Sequence, residues 1–211
     1  MIKVLRFSAL FLCLCLICVS TASAKKYTQQ ECDKYYFSAQ YDKAFQCISS
    51  MADEGDPQSQ FNLAVLYHLG QGVEKNKEKT IYWLLRAAEN QHPNAQFGVG
   101  AAYEAGFGVE KDLGIAAQWY TKAANQGHAA AQTNLGVMYG NGEGVQKNHI
   151  EALKWFRLAA SSGSSKAKRN AELLSEHMSK EEIIEADAMA ASWEPTVSHD
   201  AISLPNSSVH K

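Results

Sequence analysis

The sequence predicts an all-α protein, a solenoid of stacked helical hairpins with capping helices at both ends. Three observations support this prediction. One block of residues returns three times at a spacing of 36, each copy has the apolar period of an α-helix, and a Gly-x-Gly segment divides each copy in two. Because a single hairpin cannot bury its apolar face, neighbouring hairpins are expected to stack around one continuous core.

The repeat is clearest around the Gly-x-Gly segment. A tyrosine precedes this segment in every copy, and a tryptophan and an Ala-Ala pair follow it. The matching residues are Tyr67, Gly70, Gly72, Trp83 and Ala87, then Tyr103, Gly106, Gly108, Trp119 and Ala123, then Tyr139, Gly142, Gly144, Trp155 and Ala159. Every offset is 36 without a gap, so three copies of one structural unit are expected.

Each copy predicts two helices. In the first helix of the first copy, Gln60, Leu63, Ala64 and Tyr67 stand at positions i, i+3, i+4 and i+7, which is one face of an α-helix. The Gly-x-Gly segment is expected to end this helix, because glycine adopts left-handed conformations without steric cost. A second helix is predicted near residues 77–90.

Two runs of the third copy resemble a known family. Residues 131–139 read AQTNLGVMY and residues 152–160 read ALKWFRLAA, with Gly-Glu-Gly-Val between them. This pattern is similar to the Sel1-like repeat, a relative of the tetratricopeptide repeat, and the similarity covers residues 55–163. It implies a right-handed α/α solenoid with repeats at about 55–90, 91–126 and 127–163, in an exported bacterial member of the family.

The first 24 residues predict a cleavable secretory signal. Lys3 and Arg6 precede an apolar run at residues 7–19, and Ala22-Ser23-Ala24 is a small-residue cleavage site. The apolar run is shorter than the ~20 residues that a spanning helix needs. We therefore expect cleavage after Ala24, a periplasmic or secreted protein, and no integral membrane segment after cleavage.

Removal of the signal changes both the charge and the cysteine count. The full chain has 20 Lys+Arg and 22 Asp+Glu, and loss of Lys3 and Arg6 leaves 18 minus 22, or −4, which argues against a nucleic-acid partner. Five cysteines become two, Cys32 and Cys47. In an oxidising compartment this pair is a disulfide candidate, and two buried free thiols are the alternative.

The flanks of the repeats predict terminal caps. Residues 25–54 are interpreted as an N-terminal capping hairpin, in which a turn at Ala39-Gln40 places Cys32 and Cys47 opposite each other. Residues 164–193 are interpreted as C-terminal capping helices, with Ser179 and Glu182 as a capping box. Residues 194–211 contain Pro195 and Pro205 and are interpreted as a flexible tail.

No motif predicts a catalytic residue, a cofactor or a metal site. The Gly-x-Gly segments lack the Gly-Lys-Ser/Thr of a phosphate loop, and they follow helices instead of strands. Ser165 and Lys168 match the Ser-x-x-Lys pattern of penicillin-recognising enzymes without its companion motifs. An enzyme that acts on cell-wall peptides or β-lactams stays an alternative, because some Sel1-like proteins carry β-lactamase-like labels. His92 and His128 share a repeat position and are interpreted as exposed linker residues.

The remaining candidate is a groove. Solenoids of this kind curve, and the first helices are expected to line the concave side. The candidate peptide-groove residues are Gln58, Asn62, Asn94, Asn134 and Asn141. Amide side chains both donate and accept hydrogen bonds, which suits an extended peptide, although ordinary surface amides are an open alternative and Gly98 interrupts the asparagine row.

The sequence therefore predicts a non-catalytic exported scaffold that binds a protein or peptide, with a monomer as the expected state. The family resemblance implies a role in envelope complex assembly, stress response or host interaction. It does not identify the partner.

Overall fold

The protein is described by a computed structural model that covers residues 27–196. The described residues form ten α-helices and no strand. The helices are α1 (Gln29–Phe37), α2 (Tyr41–Asp53), α3 (Pro57–Leu69), α4 (Lys77–Glu89), α5 (Pro93–Ala105), α6 (Leu113–Asn125), α7 (Ala129–Asn141), α8 (His149–Ser161), α9 (Ser165–Ser175) and α10 (Lys180–Ala191). The predicted signal and residues 197–211 lie outside the described residues.

Consecutive helices from α1 to α9 pack against each other and α10 packs on α8, which confirms the predicted all-α solenoid. The hairpins α3–α4, α5–α6 and α7–α8 are the three repeats. The second helix of each repeat contacts the first helix of the next. Within residues 27–196, no helix is both long and apolar enough to cross a bilayer.

The two glycines of each Gly-x-Gly segment have different structural roles. The first glycine ends the first helix in the left-handed conformation, as at Gly142, where φ is 78°. The second also has a positive φ, and at Gly144 an added Cβ would collide with the carbonyl of Leu113 in the preceding repeat. This glycine therefore lets the loop lie directly on the start of the preceding second helix.

A buried glutamine joins each repeat to the unit before it. The three glutamines are Gln60, Gln96 and Gln132. Their Nε2 atoms donate to the carbonyls of Ala52, Ala88 and Ala124 at 3.3, 3.2 and 3.1 Å. Each carbonyl lies near the end of a second helix and also accepts the backbone N–H of the residue three positions on, so the glutamine supplies its second hydrogen bond.

The side-chain carbonyl oxygens of these three glutamines differ in their hydrogen-bond partners. Gln60 Oε1 accepts from Asn90 at 2.9 Å, and Gln96 Oε1 accepts from Gln126 at 2.7 Å. Gln132 Oε1 is buried without a hydrogen-bond partner in the part of the chain that the structure describes. The equivalent position of the third repeat holds Ser162, whose hydroxyl instead donates to Leu158 O.

The N-terminal hairpin α1–α2 is closed by a disulfide. Cys32 and Cys47 are bonded, their Cα atoms are 5.4 Å apart, and both residues are fully buried. The Ala39-Gln40 turn separates the two helices, in the antiparallel arrangement that the sequence predicts. Their packing partners include Leu63 and Leu66 of the first repeat, so the disulfide lies within the core.

The C-terminal helices complete the stack at its other end. Both α9 and α10 pack on α8, and Arg157 Nε pairs with Asp187 Oδ1 at 2.8 Å. Ser179 and Glu182 form the capping box that the sequence predicts. After α10 the chain stays in contact with the fold, because the amide and hydroxyl of Thr196 both donate to the carbonyl of Asn125. Residues 194–196 of the predicted tail thus lie against the end of α6.

Candidate functional site

The first helices share one surface, the first-helix face, which we define by the repeat position of Asn62. At a spacing of 36 this position holds Asn62 in α3, Gly98 in α5, Asn134 in α7 and Asn170 in α9. Asn170 is missing from the sequence-based candidates, which stop at the third repeat. Continuing the 36-residue register onto α9 would have found it.

His92 and His128 are structural caps, so their interpretation as exposed linker residues is wrong. Each is partly buried at the N-terminus of a first helix, where its Nδ1 accepts the N–H of Ala95 or Ala131, at 3.2 and 3.1 Å. The His92 ring also stacks on Phe61, with 4.8 Å between ring centroids. The repeat position is a helix cap, and Asp56 and Ser164 fill it in the other units.

The caps engage two of the predicted groove residues. Because His92 Nδ1 accepts a hydrogen bond, the neutral ring carries its proton on Nε2, which lies 3.1 Å from Gln58 Oε1. His128 Nε2 lies 3.1 Å from Asn94 Oδ1 in the same way. Gln58 and Asn94 therefore hold the caps of the following repeats.

Burial explains the titration of these two histidines. Desolvation is the main cause that lowers the pKa of His92 to about 4, partly offset by the negative charge of Asp56. Desolvation also lowers the pKa of His128. Both rings are therefore neutral at pH 7, as the capping geometry requires.

Asn62 and Asn134 are held in different ways. Gln58 Nε2 donates to Asn62 Oδ1 at 2.9 Å, so the structure brings these two predicted residues together. Asn134 hydrogen-bonds the hydroxyl of Tyr120, which in turn donates to the carboxylate of Glu104. Burial and then the bond to Glu104 raise the pKa of Tyr120 well above its usual range.

Asn141, the last predicted groove residue, lies apart from the others. It ends α7 beside the Gly-x-Gly loop, where its Nδ2 donates to Glu143 Oε1 at 3.2 Å. The five predicted residues are therefore not one row of uncommitted amides. Each has a side-chain partner within the protein.

An apolar cavity of about 270 Å³ opens between α3 and α5, with α4 beneath it. Its walls are Ala64, Val65, His68, Thr80, Leu84, Gly98, Ala101, Ala102 and Phe107. Within this lining Gly98 lies close to α4, since a Cβ there would approach Leu84 Cδ2 to 3.2 Å. The glycine that interrupts the asparagine row in the sequence thus lines a cavity in the structure.

The described residues contain no group of three or more side chains that could hold a metal ion. Ser165 and Lys168, which match the Ser-x-x-Lys pattern, are both exposed on the first turn of α9. The features on the first-helix face are hydrogen-bonding amides and an apolar cavity. Such a combination is suited to binding.

The Sel1 repeat family model matches residues 57–92, 93–128 and 129–164. The chain belongs to the Sel1 repeat family. Each matched unit begins at residue 57, 93 or 129, compared with 55, 91 and 127 in the sequence-based division. Sel1 repeats mediate protein–protein interaction, and Sel1-repeat proteins are generally non-catalytic scaffolds.

Solved structures include similar Sel1-repeat proteins. A Sel1 repeat protein from Oxalobacter formigenes is 34% identical with a TM-score of 0.69, over 78% of this chain and 70% of that one. A protective antigen of uropathogenic Escherichia coli strains that displays an SLR fold is 30% identical with a TM-score of 0.67, over 78% of this chain and 38% of that one. No curated protein matches the chain. These similarities give no support to the alternative of a cell-wall or β-lactam enzyme.

Proposed function

We propose that this Sel1-repeat protein is an exported, non-catalytic scaffold that binds an extended segment of a partner protein on its first-helix face. The observation that carries the proposal is the apolar cavity at Gly98, which lies in the repeat row between Asn62 and Asn134. Binding sites in proteins are typically apolar with a few polar groups that orient the ligand. An extended segment offers both backbone donors and acceptors, which asparagine amides match.

The scaffold role also follows from how the polar groups are used. Gln60, Gln96 and Gln132 are committed to the junctions between units, and His92 and His128 are committed to helix caps. A catalytic site brings a nucleophile, its hydrogen-bonded base and a stabilising donor together around one reacting atom. In the repeats these side chains instead stabilise the junctions and helix ends that support one long surface.

Export rests on the sequence of the first 24 residues and on the disulfide of the N-terminal hairpin. A buried disulfide persists in an oxidising compartment, such as the bacterial periplasm or the extracellular space. Sequencing the N-terminus of the protein isolated from its source cells tests this part of the proposal. We expect the chain to start at Lys25, and a cytoplasmic protein that still has residues 1–24 would contradict export.

The binding face can be tested by site-specific photo-crosslinking in an envelope extract. A photoreactive phenylalanine at Ala101, beside the cavity, is compared with the same residue at Gln118, which is exposed on the second helix α6. We expect a discrete protein adduct from Ala101 and none from Gln118. Adducts from Gln118 alone, or equal adducts from both positions, would place the partner elsewhere.

A further inference from the structure

The cavity lies at a junction whose lining departs from the other repeats at several positions. Ala101 stands where the other repeats have Val65 and Val137, and Ala102 stands where they have Leu66 and Met138. Gly98 replaces the asparagine of the other repeats, Leu84 stands where Tyr120 and Phe156 stand, and Phe107 replaces Gln71 and Glu143. At the next junction the larger Tyr120 is fully buried, and its hydroxyl donates to the carboxylate of Glu104. Leu84, Gly98, Ala101 and Ala102 each put a smaller side chain in the lining and so leave space, and Phe107 adds an aromatic wall.

The size of the cavity limits what it can hold. Its volume of about 270 Å³ is many times that of one water molecule and lies just below the ~300–1,000 Å³ range of small-molecule sites. The cavity therefore suits one or two side chains better than a cofactor or a drug-sized molecule.

The walls limit the chemistry of the occupant. Eight of the nine lining residues cannot carry a charge, and His68 is the ninth. The His68 ring packs edge-on against Phe107, with 5.4 Å between centroids. A charged side chain would lose hydration against these walls, none of which carries a carboxylate, and such burial is costly. The ammonium of Lys77 lies outside the lining, 5.5 Å from the centroid of the Phe107 ring. An apolar side chain would gain the free energy of leaving water.

We propose that this cavity is the specificity pocket of the first-helix face and takes one large uncharged apolar side chain, such as Leu, Met or Phe, from the bound partner segment. This inference rests on the proposed function, since it names the kind of side chain that the first-helix face selects in its partner. Asn62 and Asn134, on either side of the cavity in the repeat row, hydrogen-bond the backbone of that segment and do not select its side chains. The Gln58 bond uses the carbonyl of Asn62 and leaves both amide hydrogens of that residue available as donors.

The test is selection from a phage-displayed library of random dodecapeptides against residues 25–211, which include every described helix. The selected peptides are synthesised, and their Kd is measured against the original chain and three variants. Gly98→Asn and Phe107→Gln each install a residue that this chain already uses at the same repeat position. Gln118→Ala on α6 is the matched control. Far-ultraviolet circular dichroism and thermal unfolding establish that each variant is folded.

We expect the selected peptides to share one large apolar residue. Replacing that residue by Ala, or filling the pocket with Gly98→Asn, should weaken binding about 10- to 100-fold, while Gln118→Ala leaves Kd unchanged. Phe107→Gln should also weaken binding. Because Phe107 lies in the loop after α5, this substitution does not change a residue within a helix. The effects of the alanine replacement in the peptide and of Gly98→Asn should not add, because both changes remove the same contact.

The outcomes separate this inference from the proposed function. Peptides that bind the first-helix face without a shared apolar residue, at equal Kd to the original chain and Gly98→Asn, would overturn the pocket and leave the scaffold proposal standing. A failure to select any peptide would overturn both. Self-association of the chain that Gly98→Asn abolishes in sedimentation would identify a second copy as the occupant and would overturn the partner segment.

Discussion

The backbone amide and the hydroxyl of Thr196 both donate to the carbonyl of Asn125, at 2.8 and 3.0 Å, across 71 residues of sequence. Asn125 is the last residue of α6, so its carbonyl has no donor within its own helix. The chain after α10 provides that donor. Trp193, which precedes Thr196 by three residues, packs on the core cluster formed around α6 and α7. The C-terminal segment therefore ties the last hairpin to the second repeat.

Removing this tie should destabilise the whole stack. A chain that ends at Ser192 loses the partly buried Trp193 and both bonds to Asn125, which should lower the free energy of unfolding by about 1–3 kcal/mol. A chain that ends at Thr196 retains the contacts and serves as the control. Urea unfolding followed by circular dichroism measures the difference. Equal midpoints for the two chains would show that the segment contributes nothing.

A single substitution should stabilise the third junction. Gln132 Oε1 is buried without a partner among the described residues, while the equivalent atoms of Gln60 and Gln96 accept from Asn90 and Gln126. Ser162→Gln restores the missing donor, and we expect a gain of about 1 kcal/mol in unfolding free energy. Ser161→Gln, one residue earlier, is the control. Thermal unfolding at pH 7 compares them, and equal stability of both variants would contradict the prediction.

The two kinds of positive-φ glycine should respond differently to alanine. Gly144→Ala puts a methyl group into the carbonyl of Leu113 and also strains the backbone, where φ is 69°, so we expect a loss of about 2–4 kcal/mol. Gly163→Ala has a φ of 91° but nothing within 4 Å of the new methyl, and should cost only about 1 kcal/mol. Urea midpoints measure both. Similar losses would mean that conformation alone, without the close approach, selects glycine at position 144.

The histidine cap of the second repeat should make stability depend on pH. The pKa of His92 is about 4 in the fold, against about 6.5 for an unfolded histidine, so the unfolded chain binds the proton more tightly. The contribution of the neutral His92 ring to the free energy of unfolding is complete above pH 6.5. About 3 kcal/mol of it is lost as the pH falls toward 4. Protonation would also put a hydrogen on Nδ1 and remove the acceptor for the N–H of Ala95.

His92→Ser tests this directly, because Ser164 already caps α9 and serine does not titrate. We expect the variant to be less stable at pH 7, since it loses the stacking on Phe61, but to lose less further stability between pH 7 and 4. His177→Ser at an exposed histidine is the control and should keep the original pH profile. A parallel decline of all three proteins would assign the pH dependence to other groups.

Reduction of the disulfide should loosen the N-terminal hairpin. Cys32 and Cys47 enclose a loop of 15 residues, and a cross-link of this length contributes about 3 kcal/mol. We expect the Cys32→Ala, Cys47→Ala double variant to unfold at lower urea, with no further change on adding dithiothreitol. Thiol titration of the unreduced protein gives a separate check. Two reactive thiols in the denatured, unreduced chain would rule out the bond.

Much of the fold follows from local sequence alone. The offset of 36 determines where each hairpin begins, and glycine at Gly70, Gly106 and Gly142 determines where each first helix ends. Because repeats contact only their neighbours, a pattern within one unit predicts the packing of all units. The ends of the stack are less predictable, and the contact of Thr196 with Asn125 joins residues that no periodic pattern relates.

The candidate site was predictable only in part. The repeat row indicates the face, but a row cannot show which amides already have partners, as Gln58 and Asn94 do through the two histidine caps. The cavity combines residues from two different units, among them Leu84, Gly98 and Phe107. Each looks like ordinary variation when its own copy is considered, and only their shared location reveals that together they form a cavity.

This location has a consequence for how the protein can diverge. The cavity belongs to the boundary between two units, so neither unit carries it alone. Loss of residues 93–128 would remove one whole unit and leave the remaining helices able to stack, yet Leu84 would then meet Asn134 in place of Gly98, and Glu143 would replace Phe107. A change in the number of units, without any point substitution, would therefore be enough to abolish the pocket.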